Sequence, residues 1–165
     1  MHKINNQWAR QISGKLESMY ITKGTDYSLR ALMLLALQSD EELLSIEEIS
    51  QQLKVSRAHL MKIINQLAAL DFVETIRGRN GGVRLHYHPS EINIGDVFRQ
   101  LEEITRIVDC SDGPCLFQGS CALSVAFDKA SEAFLQTLDG YTLADLVKRR
   151  GHLQRLVLNR QVGQG

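Results

Sequence analysis

The chain has 165 residues, of which 44% are hydrophobic, which is enough for one core of ordinary size with a smaller packing unit beside it. Its 19 basic and 19 acidic residues give a formal net charge of zero at pH 7, which argues against a uniformly basic nucleic-acid coat. No apolar run reaches the roughly 18 residues needed to span a bilayer, and the first residues lack the apolar core of a secretory signal. The sequence therefore predicts a cytoplasmic protein with no membrane partner.

The first predicted helix follows a stretch with only scattered apolar residues. From about Thr25 a strongly apolar segment of roughly 14 residues predicts a helix. Thr25 or Asp26 is expected to cap it, because a side-chain oxygen at a helix start accepts hydrogen bonds from free backbone N–H groups.

Two further helices are predicted after an acidic loop. Ser45 and Glu48 have the spacing of a capping box, which indicates a short helix. After a break of about three residues, Ser56 can cap a longer helix that runs from Arg57 to about Leu70 with its apolar residues on one face. Such a pair, at about residues 46–70, is a helix-turn-helix, whose second helix enters the major groove of DNA.

A β-hairpin is predicted next, at about residues 73–85. The run Asn80-Gly81-Gly82 between its two extended pieces favours a tight turn with positive φ. Arg77 and Arg79 stand at the tip, where a cation can meet phosphate. The predicted fold is therefore mainly α with a small β-hairpin wing, a winged helix-turn-helix.

The distribution of charge supports DNA binding. Residues 54–84 hold six basic and two acidic residues, whereas residues 40–48 hold five carboxylates and no base. A basic patch on a neutral protein can still bind phosphate. The candidate DNA contacts lie in the first two turns of the second helix and on the wing: Ser56, Arg57, His59, Lys62, Arg77, Arg79 and Asn80. A solvated helix face with an ordinary cap, and plain hairpin chemistry, are the simpler alternatives for these residues.

A long helix is predicted near the C-terminus, after a short helix that begins at Ile94. Ser120 is expected to cap it, and it runs from Cys121 to about residue 138 with Phe127 and Phe134 in an apolar stripe. A helix of this length has little to pack against within its own chain, which predicts a homodimer whose core contains the Phe127 and Phe134 stripe. The chain is expected to divide into four parts: an extension at 1–18, a winged-helix DNA-binding domain at 19–88, a cluster loop with a dimerisation helix at 89–147, and a flexible tail at 148–165.

All three cysteines of the chain, Cys110, Cys115 and Cys121, fall within twelve positions. Thiolates gathered on one Gly- and Pro-containing segment can bind a single soft metal centre, and an odd number leaves a thiol over in any disulfide scheme. Zinc usually takes four ligands with paired Cys-x2-Cys spacing, which is absent here, so an iron–sulfur cluster is favoured over zinc by roughly two to one. Three incidental small residues in a loop remain the third alternative.

Six motifs spread over about residues 19–147 occur in the order of one known family. They are Thr25-Asp-Tyr-Ser-Leu-Arg-Ala-Leu32, Met61-Lys-Ile-Ile-Asn-Gln-Leu67, Arg77-Gly-Arg-Asn-Gly-Gly82, Ile94-Gly-Asp-Val97, the three-cysteine loop, and Tyr141-Thr-Leu-Ala-Asp-Leu146. Together they resemble the winged-helix iron–sulfur transcriptional regulators, and most closely their nitric-oxide-sensitive repressor branch.

The resemblance implies a homodimeric repressor, not an enzyme, that binds double-stranded operator DNA and releases it when nitric oxide nitrosylates its cluster or the cluster is lost. The three cysteines hold the cluster in that family, and Asp26 of the partner subunit matches a possible fourth ligand. Asp26 also stands where a carboxylate favours a helix start by itself. A [4Fe–4S] cluster is favoured, and a [2Fe–2S] cluster is possible.

Two rival functions stay open at this point. One is an iron- or redox-responsive regulator of the same fold. Relatives that regulate cluster biogenesis carry a histidine three positions after the third cysteine, where this chain has Ser124. The other is a small iron–sulfur redox protein, which is disfavoured because the chain has no fourth cysteine and no Gly-x-Gly-x-x-Gly loop.

Overall fold

The computed structural model describes residues 21–39, 42–102, 115–117 and 119–148. Cys110, the predicted extension at 1–18 and the tail beyond residue 148 lie outside these ranges. The described elements, in chain order, are α1 Lys23–Leu35, α2 Ile46–Leu53, α3 Arg57–Ala69, β1 Val73–Ile76, β2 Gly82–Leu85, α4 Ile94–Leu101, α5 Ala122–Asp139 and α6 Leu143–Val147. A mainly helical fold with one antiparallel hairpin confirms the predicted class.

The first helix, α1, is the centre of the core. It packs against α2, α3, α4, α6 and β2, and Ala31 and Leu32 on it are fully buried. The prediction that Thr25 or Asp26 caps this helix was wrong. Thr22 has the extended backbone of a cap, and its Oγ1 accepts a hydrogen bond from the N–H of Thr25 at 3.2 Å. Gly24 is a weak sequence signal for a helix, which concealed the first turn.

The helix-turn-helix forms as predicted from α2 and α3. Both hydrogen bonds of the Ser45–Glu48 capping box are present, and Ser56 caps α3. In the turn between the helices Lys54 adopts a left-handed conformation with φ of 55°. The buried Ser50 hydroxyl donates to the carbonyl of Val55 at 2.7 Å, which satisfies a backbone group inside the turn.

The predicted hairpin forms, and β1 pairs with β2 in antiparallel register from Val73 opposite Leu85 to Ile76 opposite Gly82. Positive φ falls on Gly78, at 121°, and not on the Asn-Gly-Gly run, so that detail of the prediction was wrong. Gly81 and Gly82 are required instead because neighbouring backbone atoms leave no room for a side chain. A Cβ on Gly81 would lie 2.1 Å from the carbonyl oxygen of Ile76, and one on Gly82 would lie 2.8 Å from that of Leu44.

The C-terminal helices connect the cysteine segment to this core. The α5 helix packs on α4, where the rings of Phe98 and Phe134 meet edge to face at 5.3 Å between centroids. Phe134 therefore packs within its own chain, and not in a dimer core as the sequence predicted. The chain then returns to the core through α6, on which Leu143 is fully buried. Cys121, and not the predicted Ser120, occupies the N-cap of α5. None of the described helices is long and apolar enough to cross a membrane.

Candidate nucleic-acid interface and metal centre

The N-terminal turns of α3 present polar and basic groups to solvent. Ser56 accepts a hydrogen bond from the N–H of His59 through its Oγ at 3.3 Å, which fixes the start of the helix. Arg57 and Lys62 are exposed. Because the free N–H groups of a helix start carry partial positive charge, this end of α3 favours phosphate.

His59 lies at the edge of this face and contacts the first helix. Its ring is half-buried and meets the ring of Tyr27 edge to face, with 5.6 Å between centroids and 82° between planes. Sequence reasoning did not single out Tyr27, although its position directly after Asp26 was a usable signal. The contact joins α1, which carries Asp26, to the N-terminal part of α3.

Met61 is a second residue that sequence reasoning passed over. Its side chain is 46% exposed, one turn after Arg57 on the outer side of α3. An exposed apolar side chain beside basic residues on a groove-entering helix can contact the methyl group of thymine. The sequence signal for this exposure is its spacing, because a residue four positions after Arg57 lies on the same face of a helix.

The wing tip places Arg77, Arg79 and Asn80 in solvent. Below the tip, Arg84 forms a cross-strand ion pair with Glu74, its partner in the strand register, which braces the hairpin. Within the part of the chain that the structure describes, no carboxylate pairs with the basic side chains at the tip or on α3, namely Arg57, Lys62, Arg77 and Arg79. These charges are therefore available to a polyanion.

Cys115 and Cys121 are free thiols on the segment that leads into α5. Cys115 is exposed and Cys121 is half-buried at the N-cap of α5, where its side chain makes no capping hydrogen bond. Neither thiol belongs to the hydrophobic core or to a disulfide, so both can serve as thiolate ligands of a cluster. Cys110 lies outside the described residues, and within those residues one subunit forms no group of three or more His, Cys, Asp or Glu side chains able to hold a metal ion.

Asp26 lies in the first turn of α1, with 36% of its side chain exposed. Its carboxylate accepts a hydrogen bond from Arg30 Nε at 2.9 Å, one turn further along the helix. The carboxylate is thus at the surface and paired within its own helix. It is accessible to a group on a second subunit.

The outer side of α5 carries exposed small and apolar residues. None of the 18 residues of this helix is buried, and Leu123 is 61% exposed. One set of its exposed residues recurs at alternating steps of three and four: Leu123, Ala126, Ala130, Ala133 and Thr137. This is the spacing of a helix seam that packs against another helix.

The comparisons with known proteins agree with this arrangement. A family model described as Rrf2, an iron-dependent transcriptional regulator, matches residues 21–149. The HTH-type transcriptional regulator NsrR of Bacillus licheniformis is 43% identical over 142 residues, which cover 84% of this chain and 99% of that protein. NsrR of Bacillus subtilis is 44% identical over 142 residues, with 84% and 97% covered.

A solved structure shares the fold. It is that of CymR, the global cysteine regulator of B. subtilis, with a TM-score of 0.66 and 27% identity, covering 80% of this chain and 98% of the other. These relatives are transcriptional regulators and not enzymes, as the sequence predicted. The chain belongs to the Rrf2 family of winged-helix transcriptional regulators and is similar to NsrR.

Proposed function

We propose that this chain is a transcriptional repressor that binds operator DNA as a homodimer, carries an iron–sulfur cluster in each subunit, and releases the DNA once nitric oxide has reacted with the cluster or removed it. The observation that carries the proposal is the pair of free thiols, Cys115 and Cys121, at the start of α5 in a chain similar to NsrR. The protein acts in the cytoplasm, where reducing conditions keep such thiols free.

DNA binding is assigned to α3 and the wing. Ser56, Arg57, His59 and Lys62 face the major groove and its phosphates, while Arg77, Arg79 and Asn80 contact the backbone or the minor groove. Support comes from the exposure of the basic members of this set and from the helix start that Ser56 caps. Phosphate contacts supply most of the affinity and position α3, and base-edge contacts on α3 supply the specificity.

The homodimer is assigned to the exposed stripe on α5. The alanines one and two turns beyond Leu123 are small enough for two helices to approach closely, and burying Leu123 removes apolar surface from water. A dimer also gives two recognition helices, which match the two half-sites of a palindromic operator.

The cluster is assigned to Cys110, Cys115 and Cys121, with Asp26 of the partner subunit as the fourth ligand. A [4Fe–4S] form is favoured over [2Fe–2S]. When bound, such a cluster supplies iron that reacts with nitric oxide, and a site with a single carboxylate ligand leaves one iron more labile than the rest. The three thiolates would hold the cluster, and Cys121 would do so at the start of α5, where the helix dipole favours negative charge.

The link from cluster to DNA runs through α1. Asp26 and Tyr27 are adjacent on this helix, and the Tyr27 ring contacts His59 on α3. As a ligand, Asp26 of the partner subunit would tie that subunit's own α1 to the cluster. Without the cluster, the same carboxylate can pair with Arg30 of its own helix. A shift of α1 then moves α3 and changes the distance between the two recognition helices of the dimer, each of which binds one half-site.

Iron supply is a second candidate signal, because the family model itself is described as an iron-dependent regulator. The same ligands and the same contact between Tyr27 and His59 serve that signal equally well. Separate titrations of operator binding with nitric oxide and with an iron chelator distinguish the two. If operator binding is lost at less than one nitric oxide per cluster and is unaffected by the chelator, nitric oxide is the signal.

The ligand assignment is tested on protein purified without air. Wild type and the variants Cys110→Ala, Cys115→Ala, Cys121→Ala and Asp26→Asn are compared by iron and sulfide content, absorbance and Mössbauer spectra. The cysteine variants are expected to lose the cluster, and Asp26→Asn is expected to keep it with altered spectra. A cluster retained at full occupancy in any cysteine variant contradicts the assignment of that residue.

A further inference from the structure

Glu102 stands at the point where α4 ends and the cysteine-bearing segment begins. Its backbone is extended, with φ of −111° and ψ of 126°, so the chain leaves the helix at this residue. Its own N–H still donates to the carbonyl of Phe98 at 2.9 Å. The next cysteine along the chain is Cys110.

The Glu102 carboxylate reaches the start of α1, 80 residues away in sequence. The backbone N–H of Thr22, the cap of α1, donates to Glu102 Oε1 at 2.7 Å. The side chains of Thr25 and Thr22 also favour the charged form of this carboxylate and lower its pKa. Thr25, whose N–H donates to Thr22 Oγ1, is only 2% exposed, whereas the bond between Thr22 and Glu102 lies at the surface.

The ionised form of Glu102 is favoured by these interactions. Partial burial of the carboxylate opposes its ionisation, but the bond from the Thr22 N–H and the side chains of Thr25 and Thr22 outweigh burial and hold the pKa of Glu102 below its usual value. A charged acceptor at a helix start is also favoured by the helix dipole. The connection is therefore made at neutral pH.

The turn that Glu102 holds is the one that presents Asp26. The N–H of Asp26 donates to the carbonyl of Thr22 at 3.0 Å, so a displacement of Thr22 displaces Asp26 with it. In this way one carboxylate joins the start of the cysteine segment to the residue that is offered to the other subunit.

We propose that Glu102 is a positioning residue: it fixes the first turn of α1 against the start of the cysteine segment, and so sets the position from which Asp26 reaches the cluster of the partner subunit. The inference rests on the proposed function, in which Asp26 is that ligand. Each cluster is then coupled to the other, because the segment that holds one also orients the ligand of its neighbour.

The test measures how fast iron leaves the cluster-loaded, full-length protein when the iron(II) chelator ferrozine is added without air. Glu102→Ala is expected to lose iron about tenfold faster or more, as is common when a group that orients a metal ligand is removed. Glu102→Gln keeps an acceptor for the Thr22 N–H and is expected to stay within about threefold of wild type, since the orienting bond remains. Gln100→Ala, an exposed change on the same helix, is the matched control.

A double-mutant cycle with Asp26→Asn separates positioning from general stability. If Glu102 acts through Asp26, the double variant loses iron no faster than Asp26→Asn alone. If the two substitutions increase the rate of iron loss independently, so that their factors multiply in the double variant, the inference is overturned. It is also overturned if Glu102→Ala loses iron at the wild-type rate. If Glu102→Ala does not fold, Glu102→Asp, which withdraws the carboxylate by one methylene, takes its place in the cycle. A wild-type protein that holds no cluster overturns the proposed function itself, and the inference with it.

Discussion

Arg99 and Asp139 form a two-pronged ion pair that joins α4 to the last residue of α5, with N–O distances of 2.6 and 2.7 Å. The Asn93 side chain donates to the carbonyl of Asp139 at 2.8 Å. Gly95 allows the close approach, since a Cβ there would lie 1.9 Å from Asp139 Oδ1. One end of α5 is thereby fixed to the core, while its other end carries Cys121.

This ion pair predicts a specific acid response. The guanidinium of Arg99 holds the pKa of Asp139 below its usual value, and the pKa of Arg99 is raised in return. A lowered folded-state pKa means that the stabilisation is complete above the ordinary Asp pKa of about 3.9 and is lost as pH falls through the lower folded value. Asp139→Asn is therefore expected to lower the free energy of unfolding at pH 7 and to flatten its decline below about pH 4.

Urea unfolding of the metal-free protein at a series of pH values measures this difference. The curves of wild type and Asp139→Asn should begin to converge near pH 4 and meet as pH falls through the lower folded pKa of Asp139, where protonation removes the charge on residue 139. A difference between the curves that stays constant over the whole series would mean that the charge of Asp139 does not contribute to stability.

Ser56 has two proposed roles, and two substitutions separate them. Ser56→Ala removes the cap of α3 and is expected to cost about 1 kcal/mol of stability together with DNA affinity. Ser56→Asp keeps a capping oxygen but places negative charge beside phosphate, so it should remain stable and bind operator DNA weakly. Thermal unfolding and operator affinity are measured on both. Tight DNA binding by the aspartate variant would leave Ser56 as a cap alone.

Arg79 at the wing tip should contact phosphate whatever the sequence. Arg79→Ala is expected to weaken binding to operator and to random DNA by similar factors, and to reduce the salt slope of log affinity by about 0.9 for each phosphate that the side chain no longer neutralises. Arg79→Lys keeps the charge and should keep the slope. Affinities at four or more salt concentrations decide the matter, and an unaltered slope in the alanine variant argues against phosphate contact.

Leu123 should hold the two subunits together. Leu123→Asp places a charge in the exposed stripe of α5 and is expected to convert the dimer to a monomer at micromolar concentration, because an unpaired charge is costly to bury. Glu132→Lys changes charge on the same helix outside the stripe and should leave the dimer intact. Light scattering gives the masses, and a dimeric Leu123→Asp protein would move the interface elsewhere.

The elements that local signals specify were predictable from the sequence. The Ser45–Glu48 capping box and the Ser56 cap are made by residues three apart, so the sequence itself contains both partners. The same holds for the strand pairing of the wing, which a short turn enforces. The class of the fold followed from these local units and their order.

The contacts that sequence reasoning missed join distant parts of the chain. Glu102 bonds to Thr22, Arg99 to Asp139, and Tyr27 packs on His59, and no periodicity marks one partner of such a pair for the other. The cap of α1 was misplaced because Gly24 interrupts the helical pattern. Gly81 and Gly82 looked like turn residues, yet their close approach to Ile76 and Leu44 becomes visible only in three dimensions.

Operator affinity of a single air-free, cluster-loaded sample, measured during titration with nitric oxide, tests the central claim most directly. The account predicts that the absorbance of the cluster and the affinity for operator fall together, the affinity by at least about tenfold, which lies within the usual range of coupling between two sites. Affinity that stays constant while the cluster absorbance is lost would contradict it.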